Sequence, residues 1–328
     1  METPELNVVT GAFGYTGKYI ARRLILLGKR VKTLTGRPSR PHPFGEMVSV
    51  APFNFDRPEE LVKSLRGATT FYNTYWIRFP RGRLTYEKAV ANTKTLIAAA
   101  REAGVRRFVH VSIVNAAPES SLPYFRGKGI LEQELINSGL SYAIIRPTVI
   151  FGPEDILINN IAWLLRRFPV FAVPGDGRYR LQPVFVEDVA ALAVDAGQRG
   201  ENVVIDAVGP EVFAFDELAG LIAEKVGSRA RIIHLPPGLA FALAMVVGCF
   251  VRDVLITRDE LKGLMAGLLI SDGPVAGRVR LSDWLAENAG RVGAGYASEL
   301  GRHYRLVRPS REEAAAKPAG GAVMDMEK

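Results

Sequence analysis

Runs of apolar residues alternate with helical patterns along the first 150 residues of the chain. Six apolar, β-rich runs occupy residues 6–10, 31–35, 48–53, 69–73, 107–112 and 142–150. Between them, apolar residues recur at helical spacing over residues 18–27, 59–65, 84–103 and 122–137. Strands that alternate with helices in this way predict a parallel sheet covered by helices on both faces. We therefore predict an α/β fold with a doubly wound parallel sheet.

The alternation becomes less regular after residue 152. Helical patterns at 156–168 and 215–226 flank short strand patterns near 184 and at 203–207, and residues 230–305 look mostly helical. We predict that residues 1–152 form the sheet domain, with residues 181–208 returning to it. Residues 153–180 and 209–308 then form a smaller, mostly helical substrate lobe. Residues 309–328 lack apolar periodicity, which predicts a disordered tail.

The first predicted strand runs directly into a glycine-rich turn that opens a helix. Gly11 permits a tight turn, Gly14 lets the backbone approach a pyrophosphate, and Gly17 lets the helix pack closely on the sheet. Backbone amides at the start of such a helix face bound phosphates. An ordinary strand–helix turn is the alternative. The pattern predicts a Rossmann-type domain whose dinucleotide contacts are Gly11, Ala12, Phe13, Gly14, Tyr15, Thr16 and Gly17.

The end of the second predicted strand indicates which dinucleotide binds. An NAD site usually has an acidic residue there for the ribose 2′-hydroxyl, whereas this chain has Gly36-Arg37 and no carboxylate. A guanidinium can hold a 2′-phosphate through two hydrogen bonds, so Arg37, with Arg40 as a second candidate, favours NADP(H) over NAD(H). A solvated loop arginine is the alternative. Asp56 is a candidate contact for the adenine amino group, or a turn-initiating residue.

Candidate catalytic residues follow the fifth predicted strand. Ser112 ends that strand, and Tyr124 and Lys128 are four residues apart on the next predicted helix, so they share one helix face. An ammonium beside a phenol lowers the phenol's pKa, which makes Tyr124 a candidate general acid–base. Ser112 could hydrogen-bond the same substrate oxygen. Tyr-x-x-x-Lys pairs occur on many helices, and this one gains weight from following the glycine turn.

Together these motifs resemble the extended and atypical branches of the short-chain dehydrogenase/reductase superfamily over residues 6–305. The matching segments are Thr10-Gly11-Ala12-Phe13-Gly14-Tyr15-Thr16-Gly17, Asp56, Asn92, Val109-His110-Val111-Ser112, Tyr124 with Lys128, and Ile145-Arg146-Pro147-Thr148. Further segments are similar to the accessory nucleotide-binding subunit of mitochondrial complex I. They are Arg146-Pro147 through Gly152, Asp155 and Asn159-Asn160, then Gln182-Pro183-Val184, Asp188-Val189-Ala190 and Val208-Gly209-Pro210.

The resemblance implies a bound NADP(H) and, in active members, hydride transfer beside the Ser112, Tyr124 and Lys128 set. It also implies that Lys128 contacts the cofactor and that Pro147 forms part of the nicotinamide or substrate wall. Ser112 and Tyr124 are only 12 residues apart, closer than in sugar epimerases and dehydratases of the extended branch. The short connection removes loop that would line a nucleotide-sugar site and leaves the placement of Ser112 open.

Three functions remain open at this stage. The first is an NADP(H)-dependent oxidoreductase acting on a small carbonyl or activated double bond. The aromatic residues among positions 71–76 favour an apolar or aromatic substrate, unless they pack between lobes. The second is a non-catalytic NADP(H)-binding sensor or assembly protein, and the third is a nucleotide-sugar epimerase or dehydratase.

Composition and a few segments limit which partners and which cellular location we expect. The net charge of +8 comes from scattered basic pairs without interleaved aromatic residues, which argues against nucleic-acid binding. Cys249 has apolar neighbours and predicts a core thiol, and the isolated histidines predict no metal site. Residues 239–251 are too few to span a bilayer and predict a buried helix, or alternatively a patch that contacts a membrane or a partner. The N-terminus does not resemble a signal peptide, so we expect a cytoplasmic protein.

Overall fold

The computed structural model describes residues 5–39 and 42–303, and its described part contains thirteen strands. They are β1 (Leu6–Thr10), β2 (Arg30–Thr35), β3 (Val48–Pro52), β4 (Ala68–Asn73), β5 (Arg107–Val111), β6 (Ser141–Pro147), β7 (Ile150–Phe151), β8 (Val170–Pro174), β9 (Arg180–Leu181), β10 (Val184–Phe185), β11 (Val203–Ala207), β12 (Phe213–Ala214) and β13 (Arg231–Leu235). Seven of them form one parallel sheet in the order β11-β6-β5-β4-β1-β2-β3. The predicted α/β fold with a doubly wound parallel sheet is confirmed.

Eleven α-helices connect and cover these strands within the described residues. They are α1 (Tyr15–Leu26), α2 (Pro58–Leu65), α3 (Tyr86–Glu102), α4 (Pro123–Ile136), α5 (Leu157–Arg167), α6 (Val186–Gln198), α7 (Phe215–Lys225), α8 (Pro237–Val251), α9 (Arg258–Met265), α10 (Leu281–Asn288) and α11 (Glu299–His303). In the first half of the chain these bounds lie within a few residues of those that periodicity predicts.

Both faces of the sheet are buried, because successive strand residues point to opposite sides. Val9 and Val109 pack with α1 and α6 on one face. Val8, Phe71 and Phe108 pack with α2 and α3 on the other. This two-sided burial explains why the strands read as nearly continuous apolar runs.

The strand order changes direction at β1, which pairs with β2 on one side and with β4 on the other. The chain continues from β1 to β2 on one side and from β4 to β5 on the other. Because the two connections diverge, a crevice opens outside the carboxyl ends of β1 and β4. In open α/β sheets, ligands bind in such a crevice. The turn after Thr10 and the segment after Asn73 border this position.

The rest of the chain packs around its own core, which includes Phe151, Leu181, Leu218 and Trp284. This part also contains strands that the sequence pattern did not predict. Among them are β8 and β13, which form a parallel pair. The expectation of a mostly helical segment at 230–305 is therefore incomplete. Strand β13 has exposed and half-buried residues without a fully apolar face, which is why periodicity missed it. The predicted tail at 309–328 lies outside the described residues.

The prediction of a buried helix at residues 239–251 is wrong. Helix α8 spans the predicted apolar segment, but only Ala240 and Gly248 are buried, so it is not a buried helix. Cys249 is exposed rather than a core thiol. Hydrophobicity alone predicted burial, yet only one face of α8, which includes Ala240, Phe241 and Gly248, is turned toward the protein. Among the described residues, none of the helices has both the length and the apolar character needed to cross a bilayer.

A backbone contact fixes α1 against β1 and yields the first testable prediction. A Cβ atom at Gly17 would lie 2.3 Å from the Gly11 carbonyl oxygen. We expect Gly17→Ala to lower the free energy of unfolding by at least about 2 kcal/mol, because backbone must move to relieve the overlap.

Urea denaturation measures this effect, with Gly220→Ala as the matched control. Gly220 lies within α7 and has open space around it, so alanine there should be neutral or stabilising by up to about 1 kcal/mol. Equal effects of the two substitutions would contradict the contact.

Candidate active site

The glycine-rich turn has the geometry that a pyrophosphate requires. Gly11 adopts a φ of +65°, which favours glycine, and α1 begins directly after Gly14 without a side-chain cap. The first-turn amides of α1, from Tyr15 to Gly17, are therefore positioned for an anion. No acidic residue lies in that turn to repel it. Ala12 is buried, and its amide donates to Thr33 Oγ1 at 3.1 Å, which anchors the turn.

Aromatic side chains border the crevice where the adenosine half of a dinucleotide would lie. Phe13 stacks on His42, with ring centroids 4.1 Å apart. Phe53 and Phe55, just after β3, pack on each other and on Tyr75, which follows β4.

The residues that sequence analysis assigned to the adenosine end follow β2 and β3. Arg37 is half-buried after β2, where its amide donates to Thr35 Oγ1 at 3.2 Å. Asp56 is exposed in the turn after β3. Arg40 lies outside the described residues.

A buried polar network connects the carboxyl ends of the central strands. Thr10 Oγ1 donates to Asn73 Oδ1, and the Asn73 amide lies 3.0 Å from His110 Nδ1. Since the Asn73 amide nitrogen is a donor, His110 Nδ1 accepts and its proton is on Nε2. Burial and the neighbouring Lys128 lower the pKa of His110 well below its usual range, so the imidazole is neutral at physiological pH.

Several buried polar atoms near this network lack a hydrogen-bond partner among the described residues. They are Ser112 Oγ, His110 Nε2 and Trp76 Nε1. An unsatisfied buried polar atom is costly, so such a concentration is typical of a site that a ligand completes. With the glycine turn, these atoms fit a dinucleotide that extends from α1 toward α4.

Lys128 is buried against the sheet. Its Nζ donates to the Val111 carbonyl oxygen at 2.7 Å and lies 4.8 Å from the centre of the Trp76 ring. Burial lowers the pKa of Lys128 to about 7, despite the opposing charge of Glu132. The side chain is thus close to its titration midpoint at neutral pH.

Tyr124 lines a pocket on the other side of Trp76. Its ring packs edge-on against Trp76 and Tyr86, at centroid distances of 5.7 and 6.1 Å. Burial, with a smaller contribution from Glu260, raises the pKa of Tyr124 above its usual range. The expected lowering of this pKa by Lys128 is not found, because the ammonium points to Val111 and not to the phenol.

The structure brings some predicted site residues together and separates others. Tyr124 and Lys128 lie on one helix and both contact Trp76. Ser112 is buried just beyond β5, where its amide donates to Ile145 O, and it does not line the Tyr124 pocket. Pro147 ends β6, where its carbonyl oxygen accepts from Val114.

The Tyr124 pocket has a volume of about 390 Å³ and mostly apolar walls. Helices α3, α4, α5, α7, α8 and α9 and strand β8 contribute these walls. Its polar side is formed by Arg78, which pairs with Glu260 through two hydrogen bonds and also donates to Leu255 O. A pocket of this kind suits an apolar ligand with few polar groups.

Sequence reasoning missed several of these residues. Phe53, Phe55 and Asn73 end parallel strands or follow them, so the rule that ligands bind at the carboxyl edge could have found them. Arg78 and Glu260 are separated by 182 positions, and no local pattern links them. Among the described residues, no cluster of His, Cys, Asp and Glu side chains could hold a metal ion.

Comparison with known proteins identifies the first half of the chain. Residues 11–156 match the family model described as NAD(P)H-binding. This segment is an NAD(P)H-binding Rossmann domain. The match covers the glycine turn from Gly11, Asn73 and His110 of the polar network, and both Tyr124 and Lys128.

Relatives extend the similarity beyond the NAD(P)H-binding domain. NADH dehydrogenase (ubiquinone) 1 alpha subcomplex subunit 9, mitochondrial, of Arabidopsis thaliana is 27% identical over 286 residues, which are 80% of this chain and 70% of the relative. This confirms the similarity to the complex I subunit. Ceramide reductase of Caulobacter vibrioides is 28% identical over 243 residues, which are 73% of this chain and 76% of the relative.

A solved structure supports the same fold. Triphenylmethane reductase of Citrobacter sp., complexed with NADP(H), superposes with a TM-score of 0.71 and 18% identity. The match covers 86% of this chain and 99% of that one, so the fold of the NAD(P)H-binding domain and the following segments is shared.

The titration of Lys128 gives a prediction for the NAD(P)H-binding domain without nucleotide. The pKa of the Lys128 ammonium is lower in the folded chain than in the unfolded one. At a pH between these two pKa values the unfolded chain binds more protons than the folded chain, so the free energy of unfolding rises with pH. Between about pH 7 and about pH 9.5, we expect the free energy of unfolding of the wild type to rise by about 3 kcal/mol relative to that of Lys128→Met.

Urea unfolding at several pH values measures this difference. Lys63→Met is the control, since Lys63 is exposed on α2 and pairs only with Glu60 in the described contacts. Parallel pH curves for wild type and Lys128→Met would contradict the lowered pKa.

Proposed function

We propose that the protein is an NADP(H)-dependent reductase that acts on an apolar carbonyl compound or an activated double bond. The observation that carries this proposal is the position of Tyr124. Its ring lies at the wall of the apolar pocket, and Trp76 connects it to Lys128 at the edge of the sheet. A proton donor between a dinucleotide site and an apolar pocket is the arrangement that carbonyl reduction needs.

The residues that would hold the cofactor follow from the geometry of the crevice. The turn at Gly11 and Gly14 and the first amides of α1 suit the pyrophosphate, and Arg37 suits a 2′-phosphate. When bound, NADPH supplies the hydride. Phe53 and Phe55 offer apolar contact for the adenine.

The raised pKa of Tyr124 keeps its phenol in the proton-donating form. At neutral pH the phenol keeps its proton, so it can donate that proton to the oxygen of a carbonyl as negative charge develops there. The aromatic rings of Trp76 and Tyr86 pack against the Tyr124 ring and shield one side of it. Lys128 holds the Val111 carbonyl and can place a positive charge behind the site.

The pocket walls indicate an apolar substrate. Leu122, Ile161, Phe171 and Phe241 are among the side chains that line it. The Arg78–Glu260 pair supplies polarity without a large net charge. The relative from Caulobacter vibrioides is named for the reduction of ceramide, a lipid, which supports a substrate with a large apolar part.

A second candidate is a non-catalytic NADP(H)-binding protein. The observation that favours it is the arrangement of the predicted catalytic set, because Lys128 donates to the backbone and Trp76 contacts both Lys128 and Tyr124. The relative from Arabidopsis thaliana is named as a subunit of an NADH dehydrogenase complex, which supports a role in an assembly.

Substitution of Tyr124 distinguishes the two candidates. We expect Tyr124→Phe to lower turnover at least about 100-fold, because it removes the proton donor, while NADPH binding stays within about twofold. The measurement follows NADPH consumption with aliphatic methyl ketones and 2-enones of increasing chain length.

Tyr86→Phe is the matched control for this experiment. Tyr86 belongs to the same aromatic group, but its hydroxyl donates to the Arg78 carbonyl oxygen at 2.8 Å. We expect this variant to keep most of the turnover. Turnover by Tyr124→Phe at the wild-type rate would remove Tyr124 from the mechanism, and tight NADPH binding without any turnover by the wild type would favour the second candidate.

The cofactor preference is tested at Arg37. We expect Arg37→Ala to weaken NADPH binding by about 10- to 100-fold, the value of one or two charge-assisted hydrogen bonds, and NADH binding by less than about threefold. Calorimetric titration with both nucleotides measures the effect, and mass spectrometry identifies any nucleotide that copurifies.

Arg30→Ala is the control for Arg37→Ala, since Arg30 is an exposed arginine at the opposite end of β2. It should leave both affinities unchanged. Equal weakening of NADPH and NADH by Arg37→Ala would mean that Arg37 does not recognise the 2′-phosphate.

A further inference from the structure

Helix α8 exposes an apolar stripe along its whole length. Leu239, Leu243, Val246 and Phe250 are spaced by four, three and four residues, which places them on one helix face. All four are exposed, and 83% of the Phe250 side chain is accessible to solvent. The opposite face holds small residues, among them Ala240 and Gly248, and packs against the protein. We infer that this outer stripe docks on the surface of an anionic lipid bilayer.

The composition of α8 indicates that the exposed stripe becomes buried against another apolar surface. None of its 15 residues is charged, so the helix has no polar face of its own. A helix that is apolar all round is normally buried on every side or inserted in lipid. With 15 residues, α8 is about 22 Å long, shorter than the roughly 30 Å hydrocarbon core. It can therefore lie in the interface plane and cannot cross.

The charges at the ends of the stripe favour a bilayer of negative surface charge. Arg252 is exposed directly after α8, and the exposed Arg258 lies over the Phe241 ring at 5.5 Å. Of the neighbouring acids, Asp253 is buried and Asp259 is half-buried in the pocket wall. The exposed charged side chains named here are therefore arginines, and the net charge of the whole chain is +8. Basic residues next to an inserted apolar face bind anionic lipid head groups.

The inner face of α8 connects this surface to the pocket. Ala240, Phe241 and Ala244 line the same cavity that Tyr124 lines. One helix therefore has the pocket on one side and the exposed stripe on the other. This continuity and the positive border favour lipid over a protein partner.

The inference does not depend on turnover, so its failure and that of the proposed function are distinguishable. Flotation of the full chain with vesicles measures docking directly. One set of vesicles contains phosphatidylcholine alone, and the other contains about 30 mol% phosphatidylglycerol. We expect the wild type to float with the anionic vesicles and at least about tenfold less with the neutral ones, and added salt should weaken this binding.

Three variants locate the docking surface. We expect the double substitution Leu243→Glu/Phe250→Glu to reduce binding to anionic vesicles at least about tenfold, because it places carboxylates in the stripe. Arg252→Gln/Arg258→Gln should reduce it severalfold. Leu26→Glu is the matched control, since Leu26 is 77% exposed on α1, away from α8, and it should bind as the wild type does.

The outcomes are decisive once circular dichroism and NADPH binding show that each variant is folded. Failure of the wild type to float, or equal flotation of the wild type and Leu243→Glu/Phe250→Glu, would overturn the inference. Analytical ultracentrifugation tests the remaining alternative, which is that the stripe contacts a second copy of the chain. A wild-type dimer that becomes a monomer only in Leu243→Glu/Phe250→Glu would assign the stripe to a second copy of the chain instead.

Discussion

The close approach of α1 to the end of β1 is the constraint on which the rest of the site depends. The Gly17–Gly11 contact brings the helix N-terminus over the carboxyl edge of the sheet, at the point where the strand order changes direction. An anion held there lies beside the end of β4, the neighbour of β1, and β5 is the next strand along the sheet. The polar network through Asn73 and His110, and beyond it Lys128, continues from there along the carboxyl ends of β4 and β5.

Two environments meet at Trp76. On the sheet side, buried polar groups lie close together, and burial brings the pKa of Lys128 near neutrality. On the other side, apolar walls and the aromatic ring of Tyr86 keep the Tyr124 phenol protonated. The same physical effect, desolvation, therefore favours the neutral form of both groups. This explains how a half-buried tyrosine and a buried lysine coexist on one helix without a direct hydrogen bond between them.

The first half of the fold was predictable because its signals are local. Strand and helix periodicity, the glycine turn and the Tyr124–Lys128 spacing each arise within a few residues of sequence. The pocket was not predictable, since its walls come from seven helices and strands and its ion pair joins distant residues. The direction of the Tyr124 pKa was also missed, because helix spacing says nothing about what the ammonium of Lys128 contacts. For α8, hydrophobicity indicated a helix that must be covered but not what covers it.

The long sequence separation of the Arg78–Glu260 pair has a consequence for biosynthesis. Six of the seven strands of the central sheet lie before residue 150, so most of it can assemble while the second half of the chain is still being translated. The pocket cannot close until Glu260 has left the ribosome. The nascent chain would thus acquire its nucleotide-binding domain long before the apolar pocket closes, and early nucleotide binding would stabilise a folding intermediate.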